Sequence, residues 1–236
     1  LTLRKSIVLS SGVNWSHANL VTFSGTTSGN VINMAGKTFS NAVLFDNPGN
    51  SSSGSWTLAS NFSVSNSYYT EFRDAGFISN GFSVNFGDYF NASLDVPKVL
   101  NFTGTDTVRI QRYWYILTGA NANLTMDQAV LLIRQPSALS NEIYFYGGAN
   151  TYHDVVIDAQ HTSSSYTIYL INASTVCRDI YFRISGQQLV NWQQAFTSRN
   201  VSVQYLNSNT GYAPNFQVYG NHTMLSLKFT NPSVQP

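Results

Sequence analysis

His153, Asp154, Asp158 and His161 form the densest group of ionisable side chains in the chain. Imidazoles and carboxylates in such a group are the raw material of a metal site or of a general acid–base pair. Spacing argues against both. In an extended strand Asp154 and Asp158 stand about 13 Å apart, beyond the roughly 5 to 9.5 Å that separates glycosidase carboxylates. Internal alignment matches His153 to Ser40 and Arg178, a variable and solvated position. Only stacking of one segment on another would bring Asp154 and Asp179 together. The residues therefore predict no catalytic group, no metal site and no cofactor.

A second constellation suits binding. Tyr113, Trp114 and Tyr115, preceded by Arg109 and Arg112, are the residue types that stack on sugar rings. In a strand Tyr113 and Tyr115 share one face and Trp114 takes the other, so the expected glycan contact is divided between surface and core. Tyr68, Tyr69, Tyr181 and Trp192 are further candidates for exposed aromatics. Cys177 is the sole cysteine, which excludes an internal disulfide, and with no histidine near it in sequence it reads as a passive small residue.

The elements that must position these groups follow from composition and period. The 236 residues carry 12 Lys+Arg against 11 Asp+Glu, a net charge of +1, and only 10% charged residues beside 43% hydrophobic ones. No basic run offers a footprint for nucleic acid. The longest aliphatic run, Ala129 to Ile133, is far short of the about 20 apolar residues of a membrane helix. Scarce Lys and Glu with abundant Ser, Thr and Asn suit a secreted or surface-exposed protein, and the opening LTLRKSIVLSSG lacks signal-peptide character, as expected of a mature piece or a segment of a longer protein.

Apolar residues recur with period two in short runs such as Phe62 to Val64, Phe82 to Phe86, Val201 to Tyr205 and Met224 to Phe229. The best helix candidate is Leu189 to Phe196. Pro48, Pro97, Pro136 and Pro214 are expected at strand edges. NFSVSN at Asn61 returns as GFSVNF at Gly81, a spacing of 20, and AGKTFSNAVLF (Ala35 to Phe45), GANTYHDVVID (Gly148 to Asp158) and ASTVCRDIYFRI (Ala173 to Ile184) align, the last two offset by 25. With Asn41, Asp154 and Asp179 at a bend, Ala42, Leu44, Val155, Ile157, Ile180, Phe182 and Ile184 point inward, whereas Val43, Val156, Tyr181 and Arg183 point outward.

Repeats of 20 to 25 residues built from short strands without crossover helices predict an all-β fold. The expectation is a right-handed parallel β-helix, or β-solenoid, of about ten coils over residues 1–236 as a single domain. A β-sandwich or jelly roll is the alternative, although a sandwich has no reason to repeat its sequence.

The run from Ser55 to Ser93, SWTLASNFSVSNSYYTEFRDAGFISNGFSVNFGDYFNAS, resembles the strand pattern of cell-surface parallel β-helix proteins of Bacteroidetes-type bacteria. PKVLNFTGTDTVRI and YFYGGANTYHDVVIDAQ continue the likeness in the same order, over about residues 31 to 185. Two departures stand out: the usual triple glycine is Gly147-Gly148-Ala149, and the C-terminal sorting domain is missing, in keeping with a segment. The resemblance implies an exported, adhesin-like protein, a cargo of type IX secretion associated with gliding motility, with secretion or motility machinery among its partners. It also implies an O-glycosylation signal at Asp106-Thr107-Val108, with Thr107 the acceptor. The expected function is a non-enzymatic adhesin or stalk module on the bacterial cell surface that meets a polysaccharide or other surface ligand. The alternative is a carbohydrate-active enzyme, a polysaccharide lyase or hydrolase, or a carbohydrate-binding module on the same scaffold.

Overall fold

A computed structural model describes residues 1–49, 53–92, 96–117, 121–135, 142–160, 166–171, 174–185, 188–206 and 215–230. None of these is helical. The strands fall into three sheets, and every strand pairing within them is parallel. A ten-stranded sheet runs from Thr2–Leu3 to Asn215–Val218, an eight-stranded sheet from Phe62–Ser63 to Thr223–Thr230, and a six-stranded sheet from Ile7–Val8 to Ala122–Thr125. The chain visits the faces in rotation, so the fold is the expected β-solenoid.

It makes about eight turns rather than ten. In the first coils the stretch from Leu9 to Leu20 and the isolated Phe39–Val64 bridge stand where the eight-stranded sheet has not yet begun. Trp15 from that stretch packs edge-on against Phe39, with ring centres 5.8 Å apart, and covers this end of the core.

The predicted offset of 25 holds: Asp154 pairs with Asp179, Val155 with Ile180 and Ile157 with Phe182. Val155, Ile157, Ile180, Phe182 and Ile184 are buried, while Tyr181 and Arg183 face outward. The bend is also present. Burial alternates along Thr175–Ser185 until Asp179 and Ile180, which are buried in succession, so the inward parity reverses there although the strand continues.

Three expectations need correction. The FSV repeat has a spacing of 22, with Phe62 over Val84 and Ser63 over Asn85; shifting by one side-chain pair preserves inward parity, so the repeated letters misled. The strand Val43–Phe45 belongs to the ten-stranded face, not to that of Asp154 and Asp179. Val43 and Phe45 therefore enter the core, and Leu44 takes the outward row with Thr22 and Glu71. Finally, Gln188–Gln193 is a strand, followed by Gln194 with a φ of 72°, so the helix expected over Leu189 to Phe196 does not form. Its alternating Val190 and Trp192 both join the core.

The interior is a column of rings and aliphatic chains. Phe23, Phe45 and Phe72 stack with centres 4.8 and 4.3 Å apart, and Phe90 stacks on Trp114 at 4.0 Å. These separations approach the strand spacing of about 4.8 Å, because inward residues in register are carried one above another. The six-stranded sheet ends at Ala122–Thr125, and beyond it the eight-stranded face uses longer strands, as in Thr151–Gln160 and Thr175–Ser185. At the last coil Leu227 and Phe229 stand above Val201 and Val203 in inward register, yet remain 52% and 60% exposed.

Phe72 contacts Phe45, Phe77, Phe86 and Phe90. Phe72→Ala is expected to destabilise the fold by about 3 to 5 kcal/mol, measured as a fall in the chemical-denaturation midpoint. A loss below about 1 kcal/mol would show that the ring column is not what holds neighbouring coils together.

Candidate functional site

Parallel register turns a residue type that recurs once per coil into a column on the surface. On the ten-stranded face Tyr69, Tyr89, Tyr113, Tyr144 and Tyr169 occupy successive positions of one outward column. Tyr115 and Tyr146 form a second column two residues along. Five of them are backed by an inward ring: Phe90 lies beneath the Tyr89 strand, Trp114 beneath that of Tyr113 and Tyr115, and Phe145 beneath that of Tyr144 and Tyr146. Gly87 sets the entry to Tyr89. Its φ is 83°, and a Cβ there would lie 2.4 Å from the Tyr68 carbonyl oxygen, so a larger residue would displace the strand.

Neighbouring rings across the seven tyrosines have centres 4.6 to 6.2 Å apart. Their packing changes along the axis. Tyr89 meets Tyr69 and Tyr113 edge-on, at 75° and 79°, whereas Tyr144 stacks on Tyr169 at 11° and Tyr146 on Tyr115 at 22°. The first region mixes ring faces and edges; in the second the rings cover one another's faces and leave rims and hydroxyls outward. Arg112 pairs with Asp88 through Nε at 2.6 Å and a second guanidinium contact, and its guanidinium lies 4.7 Å from the Tyr113 ring centre. Burial among the rings pushes the Tyr89, Tyr115, Tyr144 and Tyr146 phenols above their ordinary value of 10, with neighbouring phenols and Glu71 or Glu142 adding to the effect.

The expected aromatic triplet is thus divided as its period requires: Tyr113 and Tyr115 are half-buried on the surface, and Trp114 is fully buried. Trp114 donates its indole N–H to the Tyr152 hydroxyl at 2.9 Å and is unavailable to a glycan. Tyr69 and Tyr181 are exposed as expected, whereas Trp192 is buried. Reading by short motif missed Tyr89, Tyr144, Tyr146 and Tyr169. The signal that finds them is column membership, visible only after the coils are aligned.

The ionisable group around His153 has a different use. Asp154, Asp179, Asn200 and Ser226 stack at the corner of the eight-stranded face. Asn200 donates to Asp179 Oδ1 at 2.7 Å, and the Ser226 hydroxyl donates to Asn200 at 2.7 Å. Arg178 donates to Asp154 from Nε at 2.8 Å and lies 3.4 Å from Asp179, while Arg199 meets Asp179 at 2.7 Å. The guanidiniums hold two stacked carboxylates that would otherwise repel. Hydrogen bonding from Arg199 leads the causes that lower the Asp179 carboxyl below its ordinary value, against the opposing effect of burial. Asp158 is likewise held between Arg134 at 3.4 Å and Arg183 at 3.5 Å. His153 contacts Arg178 and lines a groove of about 400 Å³ with Asp127 and Cys177. His161 lies outside the described residues. Among the described residues no three His, Cys, Asp or Glu side chains gather in a way that could hold a metal ion. Thr107 is half-buried within the strand Thr107–Ile110.

No family model, curated protein or solved structure matches this chain.

Two titrations follow. With phenol values raised in the folded state, stability is complete below pH 10 and falls as pH rises further, since the unfolded chain ionises first. Phenolate absorption should accordingly show Tyr89, Tyr115, Tyr144 and Tyr146 titrating late and together with unfolding; ordinary titration of these four near 10 would contradict the packing. For Asp179 the sign is opposite. Its contribution is present above the ordinary carboxyl value and lost as pH falls through the lowered one, so Arg199→Gln should raise the midpoint of acid unfolding, followed by circular dichroism.

Proposed function

We propose that this chain is a non-enzymatic, glycan-binding stalk segment of an exported bacterial surface protein, and that its tyrosine face is the adhesive surface. The observation that carries the reading is the pair of outward columns formed by seven tyrosines. Around Tyr69, Tyr89 and Tyr113 the edge-on packing offers ring faces to the C–H face of a sugar, and from Tyr115 to Tyr169 the stacked rings offer rims and hydroxyls to its hydroxyls. One ring per coil matches an extended chain of sugars, which advances by about the same step as the coils. A flat face without an enclosing pocket suits the middle of a polymer better than a single terminal sugar.

Charge narrows the ligand. Strands of the ten-stranded sheet contain Glu71 and Glu142 but no Lys or Arg among their described residues. The flanking Arg73 and Arg112 are already ion-paired, with Glu71 and Asp46 and with Asp88, so the strands of this face hold no cation in reserve for a polyanion and the ligand is a neutral glycan. The likeness of Ser55 to Ser93 to surface β-helix proteins supports the exported setting, and the stacked coils supply a stiff spacer.

Binding is tested by titrating the chain with soluble neutral β-glucan and chitin oligosaccharides of increasing length. Affinity is expected to rise with length, and Tyr115→Ala with Tyr144→Ala to weaken it about tenfold, equivalent to about 1.4 kcal/mol. Equal affinity in the double variant would overturn the assignment of this face, and turnover of the glycan at enzyme-like rates would overturn the non-enzymatic reading.

A further inference from the structure

The charges of this nearly neutral chain are sorted by face. Described strand residues of the eight-stranded sheet carry six cations, Arg109, Arg134, Arg178, Arg183, Arg199 and Lys228, against three carboxylates, Asp154, Asp158 and Asp179. Six against three leaves three positive charges uncompensated, on the face that lies around the corner from one whose described strand residues include carboxylates and no Lys or Arg. Depth sharpens the difference. The carboxylate side chains are 2 to 12% exposed, whereas the arginines that hold them are 40 to 61% exposed. An approaching molecule therefore meets guanidinium, with the negative charge recessed beneath it. Arg109 and Lys228 form no ion pair among the described residues and are exposed.

From this arrangement we infer that the eight-stranded face is a second binding surface, for an acidic polysaccharide bearing carboxylate or sulfate groups. Arg134 and Arg183 share one outward column, two strand steps or about 9.5 Å apart along the axis, and Arg109 and Lys228 lie before and after them in the adjacent column that holds Tyr181. A sugar chain advances about one strand step per ring, so this interval matches a polymer with one acidic group on every second sugar. Two shallow troughs lie between these columns: one of about 270 Å³ beside Arg109 and Arg134, the other of about 490 Å³ between Arg183 and Lys228 with Tyr181 in its wall. Both are open grooves that an extended chain can cross. Duplex DNA fits poorly, because it carries a charge about every 1.7 Å and most of its phosphates would find no cation on this surface.

The surface is independent of the tyrosine columns, and the experiment separates them. The chain is titrated with hyaluronan and chondroitin sulfate, with dextran as the neutral comparison and duplex DNA as the competing polyanion. Both acidic glycans are expected to bind, and to be released as ionic strength rises past about 0.15 M. Arg109→Gln with Lys228→Gln, which disturbs no described carboxylate pair, should weaken acidic-glycan binding about tenfold; Tyr115→Ala with Tyr144→Ala should leave it unchanged. Unaltered binding by the glutamine variant, insensitivity to salt in the unsubstituted chain, or equal affinity for DNA would each overturn the inference.

Discussion

Parallel backbone hydrogen bonding between coils is the constraint from which the rest follows. It fixes each residue above its counterpart at about 4.8 Å, so side-chain chemistry is repeated along the axis instead of being gathered at one point. Whatever occupies one position must tolerate a similar neighbour above and below. Aromatic rings do so by stacking, as at Phe23, Phe45 and Phe72 inside and Tyr144 and Tyr169 outside. Carboxylates do so only with cations between them, which accounts for Arg178 lying against both Asp154 and Asp179.

Under that constraint the two large faces have diverged. The ten-stranded face places ring columns on both sides of its backbone, Trp114 and its neighbours within, Tyr113 and Tyr115 without. The eight-stranded face sets arginine over aspartate. Such separation is consistent with a net charge of only +1, because the total conceals a difference in sign between surfaces. Low overall charge says little about what either face meets.

Much of the architecture was legible in the sequence because a solenoid obeys local rules. Period-two runs identified strands, the 25-residue offset correctly stacked Asp154 on Asp179, and alternation alone divided Trp114 from its two tyrosines. The tyrosine columns were not legible. Tyr69, Tyr89, Tyr113, Tyr144 and Tyr169 are separated by 20, 24, 31 and 25 residues, since turns of different length intervene between strands of the same face. A fixed period cannot follow them. Repeated letters mislead for the same reason, as the true 22-residue stacking of Phe62 on Val84 shows. At Trp192, a cluster resembling one helical turn proved to be a strand whose alternating partners are buried; ladder pairing on the Tyr166–Ile171 strand outweighed local pattern.

The aromatic column inside the coils has a mechanical consequence. Phe72 touches a ring of the coil before it, Phe45, and a ring of the coil after it, Phe90, so pulling one such coil out of the array breaks two interfaces at once. Resistance to force is then set by the weakest interface between neighbouring coils and not by the sum of contacts along the axis.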